Sequence, residues 1–453
     1  MRQLITVENV RPLLIFLAWM SVVWMFFPIH IQLIGEESVF AVYFQNMVQT
    51  SDYMNAFYRP PLFLWVSMGL DHLFHFDSIE LPLRMASILS SVCGALFAGL
   101  FAHKVFQKEH AALLGFLVFL TLGEIQFWYG WLGYADAMFM FFIFSSMVSI
   151  WLAAQEEKTS WYLLAVVLIN AAFFTKALSA YLFFFTTLAV SAYGFGSWRF
   201  FLRPAQLLIL PLLAVAPMLW ASLHGSGAES TSAGLVEDIA RRFTTIDMVS
   251  YLKHVVVFPV EFLARMAPVS LLLIYVMFRQ PPAQYDKEIR MIALIFLINY
   301  LPYWLAPFSN MRHVVPLYGW GSLVLTYLLL QYDFKVRQTA LVAIAVVLFL
   351  KIPFSFWGLP FLKERDETQA FLPVAEDMIV QVKGEAIRQS SVSFTGFAVT
   401  AYINQIQKGQ PNILFYTPQD HGVYVIAHEQ LAGTQLVKKY TLFNDPVYLL
   451  YQE

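Results

Sequence analysis

Eleven long apolar runs decide what this chain can become. They lie near residues 12–33, 81–102, 111–128, 136–154, 161–174, 177–195, 205–223, 254–278, 291–307, 314–331 and 338–358. A helix needs about 20 apolar residues to cross a bilayer, and most of these runs approach that length. Composition agrees: 59% of the 453 residues are hydrophobic and 13% are charged, whereas ordinary soluble domains carry about 25% charged residues. The sequence therefore predicts an α-helical polytopic membrane protein with about 11 transmembrane helices, spanning residues 1–358. The first run follows an Arg-bearing leader without a small-residue cleavage site, so it reads as a retained helix. A net charge of −2 offers nucleic acid no electrostatic footing. Cys93 has no second cysteine to pair with.

Lys and Arg concentrate in cytoplasmic connections, which orients the chain. Arg2 and Arg11 precede the first run, and every second connection is then short and basic: Lys104 with Lys108, Lys158, Arg199 with Arg203, Arg279 with Lys287 and Arg290, and Lys335 with Arg337. The alternate connections are longer or acidic, as in residues 34–80 with Glu36, Glu37, Asp52, Asp71, Asp77 and Glu80. This pattern places the N-terminus in the cytoplasm and the C-terminus outside.

Three segments then fall on the outer side. The first outer loop, 34–80, holds aromatic amphipathic pieces broken by Pro60-Pro61, which suit helices lying in the membrane interface. Residues 224–253 open with a Gly/Ser-rich stretch from His224 to Gly234, the composition of a mobile loop. Beyond 358 charges occur throughout, and residues 359–453 predict a small extramembrane α/β domain. Thr368–Lys383 has helical spacing there, and Ile413–Tyr416 and Val423–Ile426 read as strands flanking a Pro-Gln-Asp-His-Gly turn. No catalytic constellation stands out in that domain.

Ionisable groups at the membrane boundary are costly unless they are paired or functional. Glu36, Arg59, Asp136, Lys176 and Arg312 all map to the outer side, and we read them as one site. A carboxylate can take a proton from an attacking hydroxyl, and fixed cations can stabilise a leaving phosphate. Glu36 is the candidate base. Asp136 is a second acid that orients an acceptor or, with Glu36, holds a divalent cation. Glu37 joins this acidic group or pairs with Arg84. Arg59, Lys176 and Arg312 are candidate phosphate ligands. Plainer roles stand beside these: Asp136 as a helix cap, Lys176 snorkelling to the interface, Arg312-His313 as an interface anchor. His72 and His75 fit an amphipathic helix better than a metal site. No zinc spacing, P-loop or dinucleotide fingerprint is present, and the cytoplasmic connections are too short for a nucleotide-binding domain.

The motif residues carry a resemblance. Gly35-Glu36-Glu37-Ser38-Val39-Phe40-Ala41, then Tyr58-Arg59-Pro60-Pro61-Leu62-Phe63-Leu64-Trp65 and Leu83-Arg84-Met85-Ala86-Ser87, resemble the GT-C glycosyltransferases. More narrowly, they look like the protein O-mannosyltransferases and lipid A aminoarabinose transferases. Gly130–Asp136, Phe173-Phe174-Thr175-Lys176 and Met311-Arg312-His313 before Pro316 extend the likeness. Three positions depart from it: Glu36 stands for the usual Asp, Arg59 for Lys, and Ala177 for Gly. The resemblance implies an inverting transferase in a bacterial inner membrane, using a sugar on a polyprenyl (undecaprenyl-type) phosphate. The acceptor would be a lipid-linked glycan, lipid A or a protein, with Tyr58, Arg84 and His313 supporting the site; the sequence itself requires no cofactor and leaves a divalent cation at Glu36 and Asp136 open. Two alternatives remain at this level: a transporter or flippase of polyprenyl-linked sugars, and a non-catalytic assembly subunit with the same fold.

Overall fold

The computed structural model describes residues 10–50, 60–176, 178–224, 248–280, 285–307, 309–365, 371–390, 393–417, 419–442 and 445–453. Tyr58, Arg59, Ala177 and residues 225–247 of the 224–253 segment lie outside the described residues.

The apolar runs become helices. The first eight, α1 to α8, are Val10–Val23, Glu37–Thr50, Leu62–Phe74, Glu80–Phe106, Ala111–Leu120, Asp136–Glu156, Thr159–Thr175 and Ala180–Phe195. Among the described residues seven helices are long and apolar enough to cross a bilayer, and an eighth span results only if a bent pair is taken as one. The eleven spans expected from sequence counted α5, α7 and α8 as well, and these are apolar helices of only 10–17 residues. The run at 254–278 also needs correction. It is not one straight span but two helices, Met248–Arg265 and Val269–Arg279, bent by 109°. The interruption at Met266–Pro268 is where proline cannot donate an intrahelical hydrogen bond.

The bundle core forms where α4, α5 and α6 meet the helix Tyr318–Gln331. Trp151 and Trp320 are fully buried there with Phe101, their rings 5.8–6.0 Å apart. Edge-to-face contact of this kind adds about 0.5–1.5 kcal/mol to the burial itself. Outward side chains such as Leu100 and Phe278 are exposed and apolar, as a face toward lipid requires.

The C-terminal region is a five-stranded sheet with two covering helices. Its strands β1 Ile387–Gln389, β2 Leu414–Phe415, β3 Val423–Ala427, β4 Thr434–Leu442 and β5 Asp445–Gln452 run in the order β2-β1-β3-β5-β4. The two strands expected from sequence, β2 and β3, both exist, but β1 lies between them and pairs parallel with each. They are therefore not a hairpin. The helix Phe394–Ile406 packs against α2, and α2, α3 and the sheet domain share a second apolar core. One face of the bundle thus carries both the first loop and the C-terminal domain. The last long helical stretch, Phe334–Leu362, runs a few residues past position 358.

Candidate active site

The turn before α2 carries two adjacent carboxylates and sends them to different places. Gly35 stands there at φ +54°, where a β-carbon would lie 2.6 Å from the Tyr134 hydroxyl. Only glycine suits that backbone and that approach. Glu37, at the first position of α2, turns inward to Arg84 of α4. Arg84 Nη2 and Nε donate to it at 2.6 and 2.9 Å, and the Ile34 and Gly133 amides donate at 2.8 and 2.6 Å. The remaining Arg84 protons go to the carbonyls of Ile29, Ile31 and Gln32. Both side chains are sealed from solvent, at 0–1% exposure. A buried ion pair persists only when its remaining lone pairs and protons are also satisfied, as here. The sequence placed Glu37 with the catalytic acids or with Arg84; its position is the second.

Glu36 points the other way. Arg312 Nη1 and Nη2 lie 2.6 and 2.7 Å from its two carboxylate oxygens. The same guanidinium grips Asp136 through Nε and Nη2 at 2.7–3.0 Å. Lys176 donates to Asp136 from the end of α7 and lies over the Phe139 ring. Two carboxylates and two cations therefore balance in one cluster. Its members come from four separate places in the chain: the turn before α2, the start of α6, the end of α7 and the short helix Met311–Leu317. Glu36, Lys176 and Arg312 are 17–21% exposed, and Asp136 is 1% exposed.

Local structure fixes each member. Asp136 opens α6, where the amide dipoles favour an anion. Its carboxylate goes to Arg312 and Lys176 and makes no cap hydrogen bond, so the capping role is not the one found. Lys176 likewise pairs with an acid, whatever its depth. Asn310 caps Met311–Leu317 by accepting from the Arg312 amide at 3.0 Å, and His313 Nδ1 accepts from the Asn310 amide at 3.2 Å. His313 thus holds the backbone that carries Arg312.

Arg312 also forms part of the wall of a cavity of about 390 Å³. Lys253, His254 and Arg265 add further basic groups to that wall, with Glu261 and Tyr129 between them. Arg265 is tied to Glu124 at 2.5 Å and to Glu261 at 2.7 Å, while Lys253 is exposed.

The set of candidate metal ligands narrows at this point. Among the described residues no group of three or more His, Cys, Asp or Glu side chains could hold an ion. His72 and His75 are ring neighbours, with centroids 6.1 Å apart. A cation between Glu36 and Asp136 would need oxygens that Arg312 and Lys176 already engage, so these residues do not fit a metal in this arrangement.

One participant had no sequence signal. Tyr134 donates from its hydroxyl to the Ile34 carbonyl at 3.0 Å and accepts from the Glu36 amide at 3.3 Å. Its ring lies 5.0 Å beneath the Arg312 guanidinium.

A helical membrane bundle with a carboxylate–cation cluster beside its first loop, and a small domain packed on that loop, is the GT-C type of fold that the motifs resemble. Two solved structures of ArnT from Cupriavidus metallidurans show the likeness across the whole chain. The structure bound to undecaprenyl phosphate superposes with a TM-score of 0.69 at 13% identity, and covers 98% of each chain. The apo structure gives 0.66 at the same identity and coverage. No family model and no curated protein matches the sequence.

Proposed function

We propose that the chain is an inverting glycosyltransferase that moves a sugar from a polyprenyl phosphate to an oxygen acceptor, on the outer side of a bacterial inner membrane. The observation that carries this reading is the Glu36–Arg312–Asp136–Lys176 cluster, whose Arg312 also lines a cavity shared with Lys253, His254, Arg265 and Glu261. The fold likeness to an ArnT structure bound to undecaprenyl phosphate supports the donor class. In this reading residues 1–358 form the membrane catalytic domain and residues 359–453 an extracytoplasmic domain beside it.

The chemistry then assigns roles. The acceptor oxygen forms a bond to the anomeric carbon as the bond from that carbon to the phosphate oxygen breaks. The electron pair leaves with the phosphate, and Glu36 takes the acceptor's proton. Attack opposite the leaving group inverts the sugar carbon. Charge grows on the phosphate, so Arg312 and Lys176, with Arg59, contribute most in the transition state. An arriving phosphate competes with Glu36 for Arg312 and so releases the base. Asp136, 1% exposed with both oxygens engaged, holds the two cations in place. Arg265 is engaged by two carboxylates, which leaves Lys253 as the cavity cation best placed to meet the incoming phosphate.

The test is a transfer assay on the purified chain in nanodiscs, with a panel of synthetic polyprenyl-phosphate sugars, followed by mass spectrometry of candidate lipid and protein acceptors. Lipids and glycoproteins of cells with and without the chain supply the acceptor candidates. A product that requires both the polyprenyl phosphate and Glu36 supports the proposal. The flippase alternative draws on one observation, the 109° break beside the cavity, since transporters use broken helices at their substrate sites. Movement of a lipid-linked sugar across proteoliposomes without any transfer product would favour it and contradict the enzyme reading.

A further inference from the structure

We propose that Tyr134 is the positioning residue that keeps the Glu36 carboxylate and the Arg312 guanidinium in register. This inference rests on the transferase reading above, which supplies the roles of the two groups it aligns.

The geometry is specific. Tyr134 sits in the link between the π-helical turn Ile125–Tyr129 and α6, two residues before Asp136. Its hydroxyl spans the tight turn bearing Glu36, donating to the Ile34 carbonyl and accepting from the Glu36 amide. The turn closes onto that hydroxyl because position 35 is glycine; a β-carbon there would collide with it at 2.6 Å. The ring, on its other side, supports Arg312 at 5.0 Å. One side chain thus touches the backbone of the base and the face of the cation. The Tyr134 carbonyl is itself held, accepting from Ser87 Oγ at 3.0 Å, and the side chain is 7% exposed.

Two features separate this role from ordinary packing. Core tyrosines need only one partner for their hydroxyl, whereas this one both donates and accepts across a single turn. Burial pushes its phenol well above the usual tyrosine range, with the Glu37 carboxylate adding to the effect. The hydroxyl therefore stays neutral and able to do both.

Two variants divide the functions of the side chain. Tyr134→Phe keeps the ring and removes the hydroxyl. The hydroxyl makes two neutral hydrogen bonds, each corresponding to about a three- to tenfold effect, so a loss of about ten- to hundredfold is expected in kcat while the donor KM stays within about twofold. Tyr134→Leu removes the ring as well, and a further drop of about tenfold in kcat is expected from the lost cation–π support. In hydrogen exchange, the peptide covering residues 31–40 should lose protection in Tyr134→Phe while the Tm of the solubilised chain stays put. A merely structural tyrosine would lower Tm and leave the ratio of kcat to donor KM unchanged in the surviving folded fraction. If Tyr134→Phe matches the wild type in kcat and in exchange, the inference is overturned. If the wild type itself transfers no sugar, the transferase reading fails instead, and the exchange result still decides whether Tyr134 holds the turn.

Discussion

Glu36 and Glu37 share a peptide bond, yet Glu36 is 21% exposed against Arg312 and Glu37 is 1% exposed against Arg84. Both pairs have contacts of 2.6 Å, so closeness of the ions does not distinguish them. Closure does. A carboxylate offers about four lone-pair sites, and Glu37 fills them with two Arg84 protons and the amides of Ile34 and Gly133. It has no place left for a substrate proton. Gly133 leads into α6, so this sealed carboxylate also ties the turn of Glu36 to the segment that delivers Asp136. Glu36 instead meets a cation that also lines a cavity. One acid of the pair builds the site, and the other remains reachable.

This contrast can be broken from either side. The largest expected effect comes from Asp136→Asn, which strips Arg312 and Lys176 of their shared partner. Turnover should fall about 10²–10⁴-fold, measured as kcat with donor titrated to saturation; a loss below about threefold would remove Asp136 from the chemistry. Next comes the sealed pair. Arg84→Met leaves Glu37 buried without its cation and should cost about 3–5 kcal/mol of stability, read as a lowered Tm in detergent. Adding Glu37→Leu in the same chain should recover part of that loss, because an apolar pair tolerates burial. A neutral single variant would mean the pair does not hold the turn.

Arg312→Lys sharpens the open side. It retains the charge but loses the planar fork that bridges two carboxylates, so kcat should drop about 10²-fold with Tm unchanged. Lys253→Ala should act more weakly and elsewhere. The donor KM is expected to rise about tenfold, the low end for a charged hydrogen bond, while kcat holds. An unchanged KM would take Lys253 out of the phosphate path. The smallest effect is expected far from both pairs, at the half-exposed Lys438–Asp377 bridge of 2.8 Å on the sheet domain. Lys438→Ala should change stability by less than about 1 kcal/mol and leave transfer as it is.

Much of the open side was legible in the sequence, because its members are charged residues set at the edges of apolar runs. Glu36, Asp136, Lys176 and Arg312 each stand out against lipid-compatible neighbours, and the structure brings the four together. Arg59 was legible on the same grounds but lies outside the described residues. Tyr134 was not legible: one tyrosine among 22, with 43 phenylalanines around the chain, carries no periodic signal. The 109° bend was hidden because hydrophobicity continues across Met266–Pro268. Strand β4 escaped notice for a different reason. It is a sheet edge with exposed Lys438 and Lys439, and such charges protect edges from further pairing while erasing the apolar alternation that marks a strand.

The most direct measurement compares Glu36→Gln with Glu37→Gln, recording Tm and donor-dependent transfer on the same preparations. The expected result is a split: Glu36→Gln keeps the wild-type Tm and loses about 10²–10⁴-fold in kcat, whereas Glu37→Gln loses stability first, since Arg84 is left buried beside a neutral amide. A Glu36→Gln chain that transfers sugar within about threefold of wild type, beside a Glu37→Gln chain that is fully stable and inactive, would contradict the account.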